Sequence, residues 1–414
     1  MKIAAVVVTV VLPVMVWPGA ALPFSSPKFL LLGVAVVTGM LWAAFQGCLW
    51  RTGIPRNLTI VLAIWLAVLG GSAALGEFAS PEALLLSLFG VGWFLTVLSI
   101  RPPAQHMAVA LTLSGALIGC VALLQFANLD LFVLFGWIHP PMGSPRMKVF
   151  ATLGNPNFVA AFLITALPLS FALASRYRSQ RVYFFMAALV QALAVAVTGS
   201  RAVLLALLAM LLWLGCVGTR RWQIAAAGIT LAVLPVLVWT SGRTLPVALE
   251  GRVYIWRAAG PHLAEKPTLG FGPGAFAPKF VEWETQRWRD GLAKVDEQGF
   301  VGLQDHAHND FLETAVDHGL AGLAAWLSLT GALLAFAWRR IRETGSELLL
   351  GVSAGAVALL AISLVDFPFR RPTETFAFWT LGAILFLADT PPKWFDPPGQ
   401  PLSGNSTIEK EVTQ

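Results

Sequence analysis

Runs of eighteen or more predominantly apolar residues recur along the whole chain, each long enough to cross about 30 Å of hydrocarbon as a helix. Inside a bilayer only helices and closed barrels satisfy every backbone N–H and C=O, and long runs without alternating polarity read as helices. Composition points the same way. Of 414 residues, 57% are hydrophobic and 12% charged, about half the charged share of an ordinary soluble domain. Sixteen Trp against three Tyr suit a lipid-facing surface, because indole rings sit well at headgroup depth. The chain therefore reads as an all-α integral membrane protein of about twelve transmembrane helices. Spans are expected near residues 3–22, 29–50, 57–76, 82–100, 105–125, 157–175, 182–199, 202–218, 222–241, 309–337, 347–366 and 374–389. Residues 1–22 are read as an uncleaved first helix rather than a signal peptide.

The basic residues orient these spans. With the N-terminus in the cytoplasm, the inner loops hold Arg51, Arg56, Arg101, Arg176, Arg178, Arg181, Arg220, Arg221, Arg339, Arg340 and Arg342. The short outer connections hold only Lys28, Arg201, Arg370 and Arg371. Lys and Arg concentrate on the cytoplasmic side, so both termini are expected there, and residues 126–156 and 242–308 outside. The net charge of +6 follows this topology and does not indicate nucleic-acid binding. Cys48, Cys120 and Cys216 lie in separate apolar runs, without the paired spacing of a disulfide framework or metal site. They read as small packing residues. Residues 1–150 comprise the N-terminal helices and first outer segment, and 151–390 a second membrane domain that includes the long loop 242–308. Residues 391–414 read as a disordered cytoplasmic extension.

Three polar segments interrupt the apolar pattern, all on the expected outer face. Asn155-Pro156 pairs an N-cap with proline at the first helical position, which is capping chemistry. The same helix start also presents free N–H groups to an anion. Thr198-Gly-Ser-Arg201 makes a tight helical hairpin, and its arginine either snorkels to headgroups or binds an anion. Gly251-Arg-Val-Tyr-Ile-Trp-Arg257 reads as an interfacial amphipathic helix. Arg252 and Arg257 stand roughly 140° apart on it, so they do not share one ligand group. Gly270-Phe-Gly-Pro-Gly274 lacks the strand–helix context of a phosphate loop and is read as a turn.

Asp305-His-Ala-His-Asn-Asp310 leads into the next span. His306 and His308 are two residues apart and lack the spacing that puts two metal ligands on one helical face, so no metal or cofactor is expected. A histidine at a membrane–water boundary suits general acid–base work. Asp317 and His318 fall inside the span, where they need a partner on a neighbouring helix or an outer arginine. Asp366, Arg370 and Arg371 cluster at another outer helix end, as an interfacial ion pair or as part of a site. Outer arginines with an interfacial histidine suit an anionic lipid-linked substrate. A diphosphate leaving group needs charge stabilisation, and an attacking hydroxyl needs a base.

At these residues the chain resembles the bacterial O-antigen ligase and Wzy-type polymerase superfamily. The likeness rests on His308-Asn309, nine residues, then Gly319-Leu-Ala-Gly322. With it go Gly154-Asn-Pro-Asn-Phe158, Thr198-Gly-Ser-Arg201, and Gly251-Arg252 with Trp256 followed by Pro267 to Gly274. The Asp366-Phe-Pro368 to Pro372 stretch is similar too. Together these cover roughly residues 150–375; the first five spans carry no such motif.

The resemblance implies a metal-independent, GT-C-like glycosyltransferase of the inner membrane. It would move a glycan from undecaprenyl diphosphate to an acceptor hydroxyl at the periplasmic face. His308 would take the acceptor proton, while Arg201 and Arg252 bind the diphosphate; Arg252 fits the family pattern better than Arg257. Asn155, Asn157, His306, Asn309, Asp317, Arg370 and Arg371, with Arg257, are the candidate substrate-binding residues around them. Ligation of O-antigen to lipid A-core is the leading expectation. A polymerase of lipid-linked repeats and a protein O-oligosaccharyltransferase share the motifs. A twelve-helix transporter is the alternative from another class, although transporters place their sites near the midplane.

Overall fold

A computed structural model of the chain describes residues 1–49, 52–134, 136–137, 145–224, 245–292 and 304–388, with isolated positions within 227–235 and 297–302. The expected span at 222–241 falls largely outside these residues, and the tail after 390 wholly so. All regular structure among the described residues is helical. The principal helices are α1 (Lys2–Val14), α2 (Ser26–Phe45), α3 (Arg56–Leu75), α4 (Pro81–Ile100), α5 (Ala104–Phe126), α6 (Pro156–Arg176) and α7 (Arg181–Thr198). They continue with α8 (Ala202–Val217), α9 (Leu245–Ala259), α10 (Phe276–Arg289), α11 (Asp310–Thr344), α12 (Glu347–Ile362) and α13 (Pro372–Leu387).

Seven of these, α2 to α7 and α11, are long and apolar enough to cross a membrane, and α1, α8, α12 and α13 are shorter apolar helices. The chain is a membrane protein. Two expected spans end early. The first was expected to reach residue 22 but stops at Val14, because Pro13 blocks the helical hydrogen bond and Pro18-Gly19 and Pro23 follow. The span expected over 347–366 stops at Ile362, and residues 363–371 turn back over the end of the bundle.

Caps set several starts. The Ser80 hydroxyl accepts the Ala83 N–H at 3.4 Å, with Pro81 at the first position and Glu82 in the first turn. The Asn155 and Asn309 side chains accept the N–H groups of Asn157 and Leu312, each at 2.9 Å. Such caps are worth about 1 kcal/mol each.

Helix α6 is the most enclosed of the spans. It packs against α5, α7 and α12, while α13 lies on α4 and α3 on α11. At Gly351 and Gly355 any side chain would meet the backbone of α6 at Pro168 and Thr165, so these glycines let the two helices touch, as small residues do at membrane helix interfaces. A second apolar cluster lies apart from this core. Tyr254 and Ile255 of α9, Phe271, and Phe276, Phe280 and Trp283 of α10 close on Val316 of α11.

Candidate active site

The motif segments converge at one end of the bundle, where α6, α8, α11 and α13 begin and α7 and α12 finish. Their convergence depends on a break in α11. Gly319 adopts φ 67°, ψ −172°, which leaves the carbonyls before it and the N–H groups after it without helical partners. The glycine-rich segment supplies those partners. Phe271 and Gly272 donate to the carbonyls of Val316 and Asp317 at 2.9 Å each, and Leu320 and Ala321 donate to Pro267 and Thr268 at 2.7 and 3.1 Å. The Asp317 carboxylate accepts the N–H groups of Gly274 and Phe276, both at 3.2 Å. Residues 267–276 are therefore a strip docked into the gap, more than the turn expected from sequence.

The first nine residues of α11 carry four buried ionisable groups. Arg370 serves three of them: Nη1 lies 2.9 Å from Asp317, and Nε lies 3.2 Å from Glu313 and 3.6 Å from Asp310. Glu313 also accepts from the Ala307 N–H at 2.8 Å and contacts His306 Nδ1 at 3.0 Å. His318, the fourth group, meets the Ser72 hydroxyl at 3.0 Å. Arg370 and Asp317, both candidates for substrate contact, are thus engaged with each other. This arrangement holds the 304–309 segment and the 366–371 turn against the start of α11.

His308 stands on that platform. Its backbone has φ 49°, a region that costs a non-glycine residue about 1–2 kcal/mol. The ring is one-third exposed, and Nδ1 faces Asp366 Oδ1 at 3.7 Å, beyond direct hydrogen bonding; such contacts often tighten only when substrate binds. The Phe367 ring lies between the two histidines, stacked on His306 at 4.1 Å and edge-on to His308 at 5.0 Å. Asp366 is buried and 3.3 Å from Arg371 Nη1. Burial alone would raise its carboxyl, but Arg371 and His308 outweigh burial and hold it at about 2.

Arg252 and Arg201 approach from α9 and from the N-cap of α8. Both are half-buried, whereas Arg257, one turn further along α9, is exposed. Burial lowers the Arg252 guanidinium below its ordinary range against the pull of Asp366, and the positive charge of Arg201 lowers it further. Two guanidiniums within electrostatic reach, one of them partly desolvated, make a site that gains from an anion. The structure thus links Arg201, Arg252, Asp366 and His308 electrostatically. Asn309 is committed to its cap and to the Leu364 carbonyl at 3.2 Å. Asn155 is likewise a cap, and Asn157 is half-exposed beside it.

Several members of this cluster were not singled out from sequence. Asp310, Glu313 and Glu374 are acids in first turns, and Lys28 lies in the first turn of α2. Their signal was a charge bordering an apolar span. The Phe158 ring lies under the Arg371 guanidinium at 3.9 Å, which explains the aromatic residue at the end of the 154–158 motif. Among the described residues, no group of three or more His, Cys, Asp or Glu is disposed to hold a metal ion.

The family model described as O-antigen ligase matches residues 184–327. The match takes in Arg201, Arg252, the 267–274 strip and His308 through Gly322, and leaves out the 154–158 and 366–372 segments. It supports the resemblance to the O-antigen ligase and Wzy-type superfamily. No curated protein matches the chain.

Proposed function

On the premise that residues 184–327 carry an O-antigen ligase-family segment, we propose that this protein is a glycosyltransferase of the bacterial inner membrane. It moves a glycan from undecaprenyl diphosphate to an acceptor hydroxyl, as in the ligation of O-antigen to lipid A-core. The observation that carries this reading is the meeting of His308 with Asp366, and of Arg252 with Arg201, at one end of a membrane bundle. The asymmetric distribution of basic residues supports a periplasmic location for that end and a cytoplasmic one for both termini.

In this reading the donor diphosphate binds at Arg201 and Arg252, whose charges offset the negative charge that builds on the leaving group. His308 accepts the acceptor proton as the hydroxyl oxygen attacks the anomeric carbon, and the glycosyl–phosphate bond breaks. Asp366 stabilises the imidazolium that results. The step requires no metal. Arg370, Arg371 and Asp317 support the fold of the site, while His306, Asn155, Asn157 and Asn309 line its approaches. Buried ionisable groups clustered at one end, and not at the midplane, favour an enzyme over a transporter.

The test is deletion in the native host, complemented with wild-type protein or His308→Ala, followed by gel analysis of surface glycans. The expected result is loss of capped lipopolysaccharide with accumulation of lipid-linked polymer, restored by wild type and not by His308→Ala. Capping by single repeats would identify a polymerase. Full complementation by His308→Ala would overturn the base assignment.

A further inference from the structure

Lys28 is wholly enclosed although it lies in the first turn of a membrane-spanning helix. A buried ammonium is costly unless it is paired and hydrogen-bonded. Its Nζ donates to the carbonyls of Phe24, at 2.8 Å, and Thr152, and Glu374 of α13 lies within electrostatic reach. Glu374 is 1% exposed, and its Oε1 lies 2.8 Å from Arg371 Nε. The other side of Arg371 faces Asp366 at 3.3 Å, and Asp366 faces His308 at 3.7 Å. Lys28, Glu374, Arg371, Asp366 and His308 thus form a file of alternating charge from α2 to the proposed base. A second connection runs beside it. Thr152, held by Lys28, opens the segment whose Phe158 lies under Arg371.

We propose that Lys28 and Glu374 are positioning residues, which hold Arg371, and through it Asp366, in register with His308. This rests on the reading of His308 as the base. The physical reason is competition for Arg371, which stands between two buried carboxylates. While Lys28 neutralises Glu374, Arg371 is free to hold Asp366. Without Lys28, an uncompensated Glu374 draws Arg371 toward itself, and Asp366 loses the partner that fixes its direction. Arg252 also interacts electrostatically with Asp366, so loosening Arg371 lets Asp366 turn toward Arg252 and away from His308. Lys28 belongs to the N-terminal helices, outside the segment matched by the family model.

The test compares wild type, Lys28→Met, Lys28→Met/Glu374→Gln and His308→Ala, reconstituted in vesicles with a polyprenyl-diphosphate-linked glycan and lipid A-core. Lys28→Met should lower kcat by about tenfold with KM within about twofold. The double variant removes the competing carboxylate with its partner and should recover to within about threefold of wild type, because coupled neighbours are not additive. Where Lys28→Met does not accumulate in the membrane, Glu374→Gln should restore both accumulation and transfer. A Lys28→Met protein with wild-type kcat, or a double variant no better than the single one, overturns the proposal. An active His308→Ala protein overturns the base reading, on which the proposal rests. An inactive His308→Ala beside a fully active Lys28→Met overturns the positioning role alone.

Discussion

The indole N–H of Trp256 donates to the carbonyl of Ala307 at 2.9 Å, while the N–H of that same residue is held by Glu313 at 2.8 Å. Ala307, next to His308, is therefore gripped through both of its backbone groups, once by the helix that carries Arg252 and once by α11. Trp256→Phe keeps an aromatic ring, though a smaller one, and removes the donor. It should lower stability by about 1 kcal/mol and slow transfer by about fivefold or more, since small displacements of reacting groups are costly. Thermal unfolding and transfer rates of purified variants check this; an unchanged rate would show that the two halves of the site are not joined here.

Arg252 and Arg257 share one short helix but not one environment. Arg252→Ala should cost about 100-fold in transfer, the usual effect of removing a charge that stabilises a leaving group. Arg257→Ala should remain within about twofold. Equal losses in the two variants would mean that exposure on α9 does not separate phosphate contact from surface charge.

Asp366 should remain ionised throughout the physiological range. Its carboxyl is held at about 2, below the ordinary unfolded value near 3.9. A lowered carboxylate stabilises the fold above the unfolded value, and that stabilisation fades as pH falls through the folded value. The stability difference between wild type and Asp366→Asn should be flat from about pH 8 down to about pH 4, with a size of about 2 kcal/mol, and narrow only below that. A gap that closes between pH 8 and 5, in thermal melts across that range, would place another ionisation in control.

The break in α11 should tolerate little change. A methyl group at Gly319 would overlap the Thr268 carbonyl, and one at Gly272, φ 112°, the Phe78 carbonyl. Strain and overlap together should cost about 3 kcal/mol or more in either alanine variant. Both should show lowered thermal stability in detergent, accompanied by loss of transfer. Wild-type melting of either variant would contradict the docking of the strip.

The membrane helices were readable because lipid leaves a chain few options, and long apolar runs announce themselves. Their ends were less so. Pro13 shortens α1, and the turn over 363–371 belongs to the site and not to the preceding span. His308 and Arg201 stand out as polar groups at expected helix ends, and Arg252 on an interfacial helix, with motif spacing to support them. Arg370 and Arg371 were legible as a cluster, but not as two separate devices, one serving Asp310, Glu313 and Asp317 and the other Asp366 and Glu374. That division depends on which way each side chain turns after Pro368, and sequence spacing carries no such information. From sequence Lys28 reads as a loop charge, because its partners, Thr152 and Glu374, lie 124 and 346 positions along the chain.

The interruption at Gly319 also governs how motion passes along α11. In an unbroken helix a tilt of the lipid-facing part would be transmitted rigidly to the residues at its head. Here residues 310–318 are fastened to the 267–276 strip and the 366–371 turn, and the remaining twenty-five residues begin with a fresh set of backbone partners. One strip therefore splices both sides of the break, so the head of α11 and its lipid-facing part are joined through residues 267–276 instead of through the helix's own hydrogen bonds.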